Sequence, residues 1–224
     1  MNWKLIKDLV ELYIMEKCKD KNSINLWRKR PRYNQNGWRS RGYLPHCDKV
    51  NTTQFVTIRL ADSLPITAIT RMQERTLLYD HSIENKLKLQ HEINQLLDQG
   101  YGECFLKDQK IASMVVEALK FNHGKKYILH EWVIMPNHVH LLLTTENENL
   151  LLNIIKSFKG YTGSEANKIL NRKGQFWYRE YYDRYIRNEV HYENARYYIY
   201  DNPVMAGLCS DRKDWAYSSY NFRT

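Results

Sequence analysis

The sequence predicts an α+β fold, with one central antiparallel sheet and helices packed on one face of it. Three observations carry this. Alternating, β-branched stretches recur along the chain, amphipathic helical periodicity recurs between them, and "IMPNH" puts a tight-turn signal between two adjacent strands. From residue 53 the order reads strand, helices, strand, strand, helix, strand, helix, which fits a ferredoxin-like sandwich.

Residues 3–18 fit an amphipathic helix, with Leu5, Leu9, Val10, Tyr13 and Ile14 on one side. "LWRKRPRYNQNGWRSRGYLP", residues 26–45, follows. Its Gly, Pro and Asn content argues against regular structure. It holds Arg28, Lys29, Arg30, Arg32, Arg39 and Arg41 without an acid, and interleaves Trp27, Tyr33, Trp38 and Tyr43. Cations between flat rings suit an arm lying along a phosphate backbone; a solvated basic loop is the plainer alternative.

"TQFVTIRLA", residues 53–61, reads as a strand, and 66–98 as helical until "DQGYGE" breaks it. Residues 107–121 form a second helix, with Asp108 as N-cap and Ile111, Val115 and Leu119 facing inward. "KKYILHEWVIM" and "HVHLLLTT" are strands joined as a β-hairpin through Pro136-Asn137. Residues 149–159 return to helix, with Leu151, Ile154, Ile155 and Phe158 inward and Lys156 and Lys159 on the other side. A strand at 177–186 and a helix at 188–201 follow, the helix stopped by Asn202-Pro203.

Composition narrows the function. The 224 residues suffice for a good-sized domain with an extension, and a hydrophobic content of 43% supports a core. No apolar run approaches a membrane span, and the charged start lacks a signal-peptide profile, so a cytoplasmic protein is expected. Cys18, Cys47, Cys104 and Cys209 lie far apart, which disfavours a zinc site or a disulfide framework. A net charge of +9 favours a polyanionic partner such as nucleic acid. Seventeen tyrosines and six tryptophans offer surfaces on which bases stack.

The chemistry concentrates in "MPNHVHLLL". His138 and His140 flank one valine, so on a strand both point the same way. Two imidazoles on one face can hold a divalent cation, or can be two polar residues on a wet face. A metal held so wants a third protein ligand and open positions for substrate. Tyr198 and Asn202 are four apart and share a helix face, and an amide oxygen suits a hard ion such as Mg²⁺ or Mn²⁺. Tyr197 and Tyr200 point elsewhere. A packed helix end with an Asn cap before proline explains "YIYDNP" equally well.

The segments "FVTIRLADSLP", "VIMPNHVHLLL", "SFKGYTGSEANKIL", "GQFWYREYYDRYIRNEVHYENARYYIYDNPVMAGL" and "WAYSSY" together resemble the REP-associated tyrosine transposases, single-tyrosine relatives of insertion-sequence transposases within the HUH nuclease superfamily. The resemblance covers roughly residues 43–220 and divides the chain into an N-terminal helix plus basic arm, 1–42, and a catalytic domain, 43–224. It implies that His138 and His140 bind the metal from a sheet strand, that Tyr198 is the nucleophile on a C-terminal helix, and that Asn202 completes the metal site. It implies attack on single-stranded DNA carrying palindromic repeat hairpins, through a 5′-phosphotyrosine link with a free 3′-OH, by a monomer or homodimer associated with the nucleoid. Lys156, Lys159, Arg184 and Arg187 would contact phosphate. A histidine-triad nucleotide hydrolase is disfavoured because position 142 is Leu. A domesticated relative that holds repeat hairpins without cutting them is the main alternative.

Overall fold

The computed structural model describes residues 32–33, 38–40, 45–70 and 92–222. The helix expected at 3–18, the basic residues Arg28, Lys29, Arg30 and Arg41, and the middle of the 66–98 helix lie outside the described residues. The chain divides into two compact units, Met1–Pro45 and His46–Thr224.

In the first unit the basic segment is more regular than its composition suggests. Strands β1 (Arg32–Tyr33) and β2 (Trp38–Ser40) pair antiparallel, Arg32 opposite Ser40 and Tyr33 opposite Arg39. Arginine and aromatic residues suit paired extended backbone, and Asn34, Asn36 and Gly37 fall between the two strands in the sequence.

The second unit is built on a four-stranded sheet. After the short β3 (Pro45–Cys47) come β4 (Thr53–Arg59), β5 (Tyr127–Ile134), β6 (His138–Thr145) and β7 (Tyr182–Tyr185). The order across the sheet is β5-β6-β4-β7, and every pairing is antiparallel. With helix α1 (Gln109–Phe121) between β4 and β5 and helix α2 (Leu151–Ile169) between β6 and β7, this is the expected ferredoxin-like arrangement.

Helix α1 starts where the sequence places it. The Asp108 carboxylate accepts from the backbone N–H of Lys110 and Ile111, two groups the helix cannot satisfy itself. Ile111, Val115 and Leu119 pack with Leu151, Ile154, Ile155 and Phe158 of α2 against Val56, Ile58, Leu60, Val139, Leu141 and Leu143 of the sheet.

Helix α3 (Glu189–Met205) packs on the opposite face, where Ala195, Ile199 and Tyr200 meet Phe55, Val133, Met135 and Leu142. Helices on one face alone is therefore corrected: α1 and α2 cover one side and α3 the other. The strand expected at 177–186 is also shorter. Only Tyr182–Tyr185 is regular, with one isolated bridge from Trp177 to Leu60.

The chain after α3 closes the β5 edge. The N–H of Ile134 donates to the Tyr217 carbonyl at 2.9 Å, and the Trp132 N–H to the Ser219 hydroxyl at 3.0 Å. The Trp215 indole N–H donates to the Ile134 carbonyl at 3.0 Å. An edge covered in this way cannot recruit foreign strands. On the α1/α2 side, His46 is held between Asp183 and Glu180, and the Cys47 N–H donates to Asp183 at 2.8 Å, tying β3 to β7. Among the described residues no helix is long and apolar enough to cross a membrane.

Candidate metal and tyrosine site

The site lies on the α3 face of the sheet. In the register, His140 stands opposite Thr57 and His138 opposite Arg59 on the neighbouring strand. Both imidazoles are buried, at 1% and 0% exposure, so the wet-face alternative does not hold. Their Nε2 atoms are 3.1 Å apart. Two nitrogens bound to one ion at ~2.1 Å lie ~3 Å apart when the angle between them is near a right angle.

Each ring is aimed by a hydrogen bond at its far nitrogen. The His138 Nδ1–H donates to the Asn137 side-chain oxygen at 2.7 Å, which leaves Nε2 as the basic nitrogen. His140 Nδ1 pairs with the Thr57 hydroxyl at 2.9 Å. Burial pushes His138 down to about 3, opposed by the Asn202 amide. Burial also holds His140 well below its ordinary value, with His138 adding to the effect. Both rings are thus neutral near pH 7, the form that binds metals.

The β5–β6 turn that carries Asn137 is fixed from several sides. Its carbonyl accepts from the Leu60 N–H at 2.8 Å, and its amide donates to the Tyr101 carbonyl at 3.0 Å. The Leu106 N–H donates to the Pro136 carbonyl at 3.1 Å. Pro136-Asn137 therefore does more than turn the chain. Asn137 links the histidine strand to the segment around residue 101. Replacing it with Ala would leave the His138 Nδ1–H and the Tyr101 carbonyl without partners. We expect Asn137→Ala to cost about 1–3 kcal/mol of stability in a denaturant titration. Metal affinity, read by calorimetry, should fall about 10–100-fold.

Helix α3 brings in the other two residues. Its N-cap is Asn188, whose side chain accepts from the His191 N–H at 2.9 Å. The expectation that Asn202-Pro203 stops the helix is corrected. The helix runs to Met205 with Pro203 inside it and turns out at Gly207, where φ is +68°. Proline removes the N–H that would bond to the Ile199 carbonyl, but the chain beyond it stays bonded: the carbonyls of Asn202, Pro203 and Val204 accept from the N–H groups of Ala206, Leu208 and Gly207 at 2.9, 2.9 and 3.0 Å. Asn202 keeps helical geometry and is fully buried.

Tyr198 lies with its ring edge-on to His140, centroids 5.2 Å apart, and to Phe55 at 5.7 Å. Its hydroxyl is buried without a well-formed hydrogen bond. Burial, then the nearby Asp98 charge, holds its pKa far above the ordinary tyrosine value, making it a weaker acid; the amides of Asn94 and Asn202 pull the other way. Tyr200 is core, edge-on to Tyr220, and Tyr197 is surface, 47% exposed. Of the three tyrosines, Tyr198 is the one whose ring meets His140.

Asp98, at the end of the 92–98 helical stretch, is the acidic side chain of the site that sequence reasoning missed. Its Oδ1 is 3.9 Å from His138 Nε2. Burial pushes its carboxyl up to about 6, and the Asn202 amide opposes this. The turn behind it is tightly built: a Cβ at Gly102 would come within 2.7 Å of the Asp62 carbonyl, and the Glu103 N–H donates to the Asp62 carboxylate at 3.0 Å. Nothing in the local pattern "LLDQGYGE" marks Asp98 as more than a helix end.

The donor set fits a hard divalent cation. Two neutral imidazoles converge, and both polar atoms of Asn202 are buried with no well-formed hydrogen bond. Buried amides are ordinarily bonded, so an orphan beside two convergent nitrogens marks a place for a ligand. Among the described residues no three His, Cys, Asp or Glu side chains form a metal-ready group, so the third donor would be the amide.

The residues expected to contact DNA are spread out. Arg184 stands opposite Phe55 on the edge strand, so it shares the histidine face. Arg187 lies over the Tyr185 ring at 5.3 Å, and Lys156 is exposed. Lys159 is committed elsewhere. Its ammonium donates to the carbonyls of Tyr178, Arg179 and Glu180 at 2.9, 3.3 and 3.1 Å, clamping that loop to α2.

Residues 105–202 match the family of IS200-like transposases. The matched stretch contains His138, His140, Tyr198 and Asn202, and leaves out Asp98. A REP-associated tyrosine transposase of Haemophilus influenzae is 31% identical over 98 residues, which covers 39% of this chain and 56% of that protein. The chain thus matches little more than half the length of that relative. A solved structure of a REP-associated tyrosine transposase bound to a REP hairpin aligns with a TM-score of 0.49 at 17% identity, over 79% of this chain and 81% of that one.

Proposed function

We propose that this protein cuts and rejoins single-stranded DNA at palindromic repeat hairpins, using Tyr198 as nucleophile. What supports this most is one buried cluster: a tyrosine hydroxyl without a well-formed hydrogen bond, packed on a histidine whose Nε2 converges with a second histidine, beside an orphaned amide. The IS200-like domain and the REP-associated name of the H. influenzae relative point to DNA, and to repeats, as the substrate.

His138, His140 and Asn202 would hold the ion, Mg²⁺ or Mn²⁺ in function. Bound there, it supplies Lewis-acid polarisation of a non-bridging phosphate oxygen. Asn137 and Thr57 keep the rings aimed. Tyr198 gives up its proton to solvent as its oxygen bonds to phosphorus, and the departing 3′-oxygen takes one up in return. The bond to the 3′-oxygen breaks, leaving a 3′-OH and a 5′-phosphotyrosine. Because one phosphodiester replaces another, the returning 3′-OH can reverse the step and join strands. The stacked rings of Phe55 and His140 both meet the ring of Tyr198 edge-on, which restrains the orientation from which it attacks. Arg184 and Arg187, with the basic residues of 26–43, would track the phosphates, and a cytoplasmic, nucleoid-associated protein follows from that role.

The test uses single-stranded oligonucleotides carrying the palindromes that flank the gene, labelled at the 3′ end. With Mn²⁺ or Mg²⁺ the full chain should give a labelled protein band that survives SDS, and EDTA should abolish it. Tight hairpin binding without cleavage under any metal would make the protein a holder of repeats. Cleavage undiminished in EDTA would remove the metal from the reading.

A further inference from the structure

The inference concerns how Asn202 is oriented, and it rests on Asn202 being a metal donor. An amide has two ends of similar shape, and only the oxygen binds a cation. A flip of the side chain would present N–H groups to the ion. Something must select the oxygen-inward rotamer, and the main chain of α3 cannot, because both ends lie in the same buried pocket.

Asp98 is a group that can select it. Asp98 puts a buried carboxylate oxygen 3.9 Å from His138 Nε2. That oxygen has no well-formed hydrogen bond, and neither has the Asn202 nitrogen. An ionised carboxylate only accepts, so it attracts the NH₂ end of an amide and repels the oxygen end. His138 also lies within the amide's reach. The phenol of Tyr198 also feels both the amide and Asp98. Asp98 comes from a different element and lies outside the stretch matched to the transposase family.

We propose that Asp98 is a positioning residue that holds the Asn202 amide with its nitrogen toward the carboxylate and its oxygen toward the His138–His140 pair. Asp98 does not need to reach the ion. It raises metal affinity by removing the rotamer that cannot bind.

A double-mutant cycle on Mn²⁺ binding, read by electron paramagnetic resonance of the free ion on the full chain, tests this. Asp98→Asn should weaken Mn²⁺ binding about 10–100-fold, as loss of the partner that orients a ligand does. Asn202→Asp provides the control background, since a carboxylate has two oxygens and no wrong flip. There, Asp98→Asn should change affinity by less than about threefold, because the two effects share one interaction and are not additive. Asp98→Ser should behave as Asp98→Asn and guards against a variant that fails to fold, with circular dichroism as the check. An equal loss in both backgrounds would make Asp98 a direct ligand and overturn the proposal. No loss in the Asn202 background would overturn it too. If His140→Ala binds Mn²⁺ as tightly as wild type, the ion is elsewhere, and the reading of the site fails along with the inference.

Discussion

His138→Ala should abolish both metal binding and DNA cleavage. The imidazole is 1% exposed, and its Nε2 is half of the converging pair. Alanine cannot fill that place with a donor, and the neighbouring side chains are each fixed by their own contacts. Cleavage should fall by about 10²–10³-fold or more, the usual cost of losing one group that stabilises charge in a transition state. Stability should fall as well, since the Asn137 oxygen loses its donor and a buried cavity opens, at about 1–3 kcal/mol. DNA binding should persist, because in the proposed reading the phosphate contacts come from arginines and lysines rather than from the histidine pair. A variant that folds, binds hairpin DNA and cuts at a tenth of the wild-type rate would mean that the pair holds no essential ion.

Tyr198→Phe should separate chemistry from folding more cleanly. The change removes one oxygen and keeps the ring against His140 and Phe55. That oxygen is buried without a well-formed bond, so its loss should leave stability unchanged or raise it slightly. Metal and hairpin binding should match wild type. Covalent adduct formation should vanish, since phenylalanine has no oxygen to attack phosphorus. Tyr197→Phe and Tyr200→Phe should still form the adduct. Tyr197 faces solvent and Tyr200 is packed with Tyr220, on other sides of the helix.

Much of this arrangement is legible in the sequence because it is set by local rules. The alternation in "HVHLLL" puts both histidines on one face, and four-residue spacing puts Tyr198 and Asn202 on one side of a helix. Asp108 announces α1. What failed depends on distant parts of the chain. Helix α2 runs ten residues past the expected end at 159, through Gly160 and Gly163. Glycine weakens a helix, but the backbone at Gly163 packs on Phe176 and Trp177, with room for no more than ordinary contact, 3.5 Å from a Cβ placed there. Helix α3 continues through Pro203 because the N–H groups of Ala206, Gly207 and Leu208 still bond to the carbonyls of Asn202, Val204 and Pro203. That α3 covers the second face follows from where β7 joins the sheet, which no local pattern encodes. Thr57, Asn137 and Asp98 were missed for a related reason. A Thr opposite a His, an Asn in a turn and an Asp before a Gly are common, and only the strand register and the loop packing bring them to the imidazoles.

The central claim is that Tyr198 becomes covalently joined to DNA, and peptide mapping of the adduct tests it most directly. The protein is incubated with a repeat hairpin oligonucleotide and Mn²⁺, digested with nuclease and protease, and the peptides are weighed. The account predicts a phosphonucleotide mass on the peptide containing Tyr198, with fragmentation placing it on that side chain. A modified Tyr197 or Tyr200, or cut DNA with no modified peptide, would contradict it.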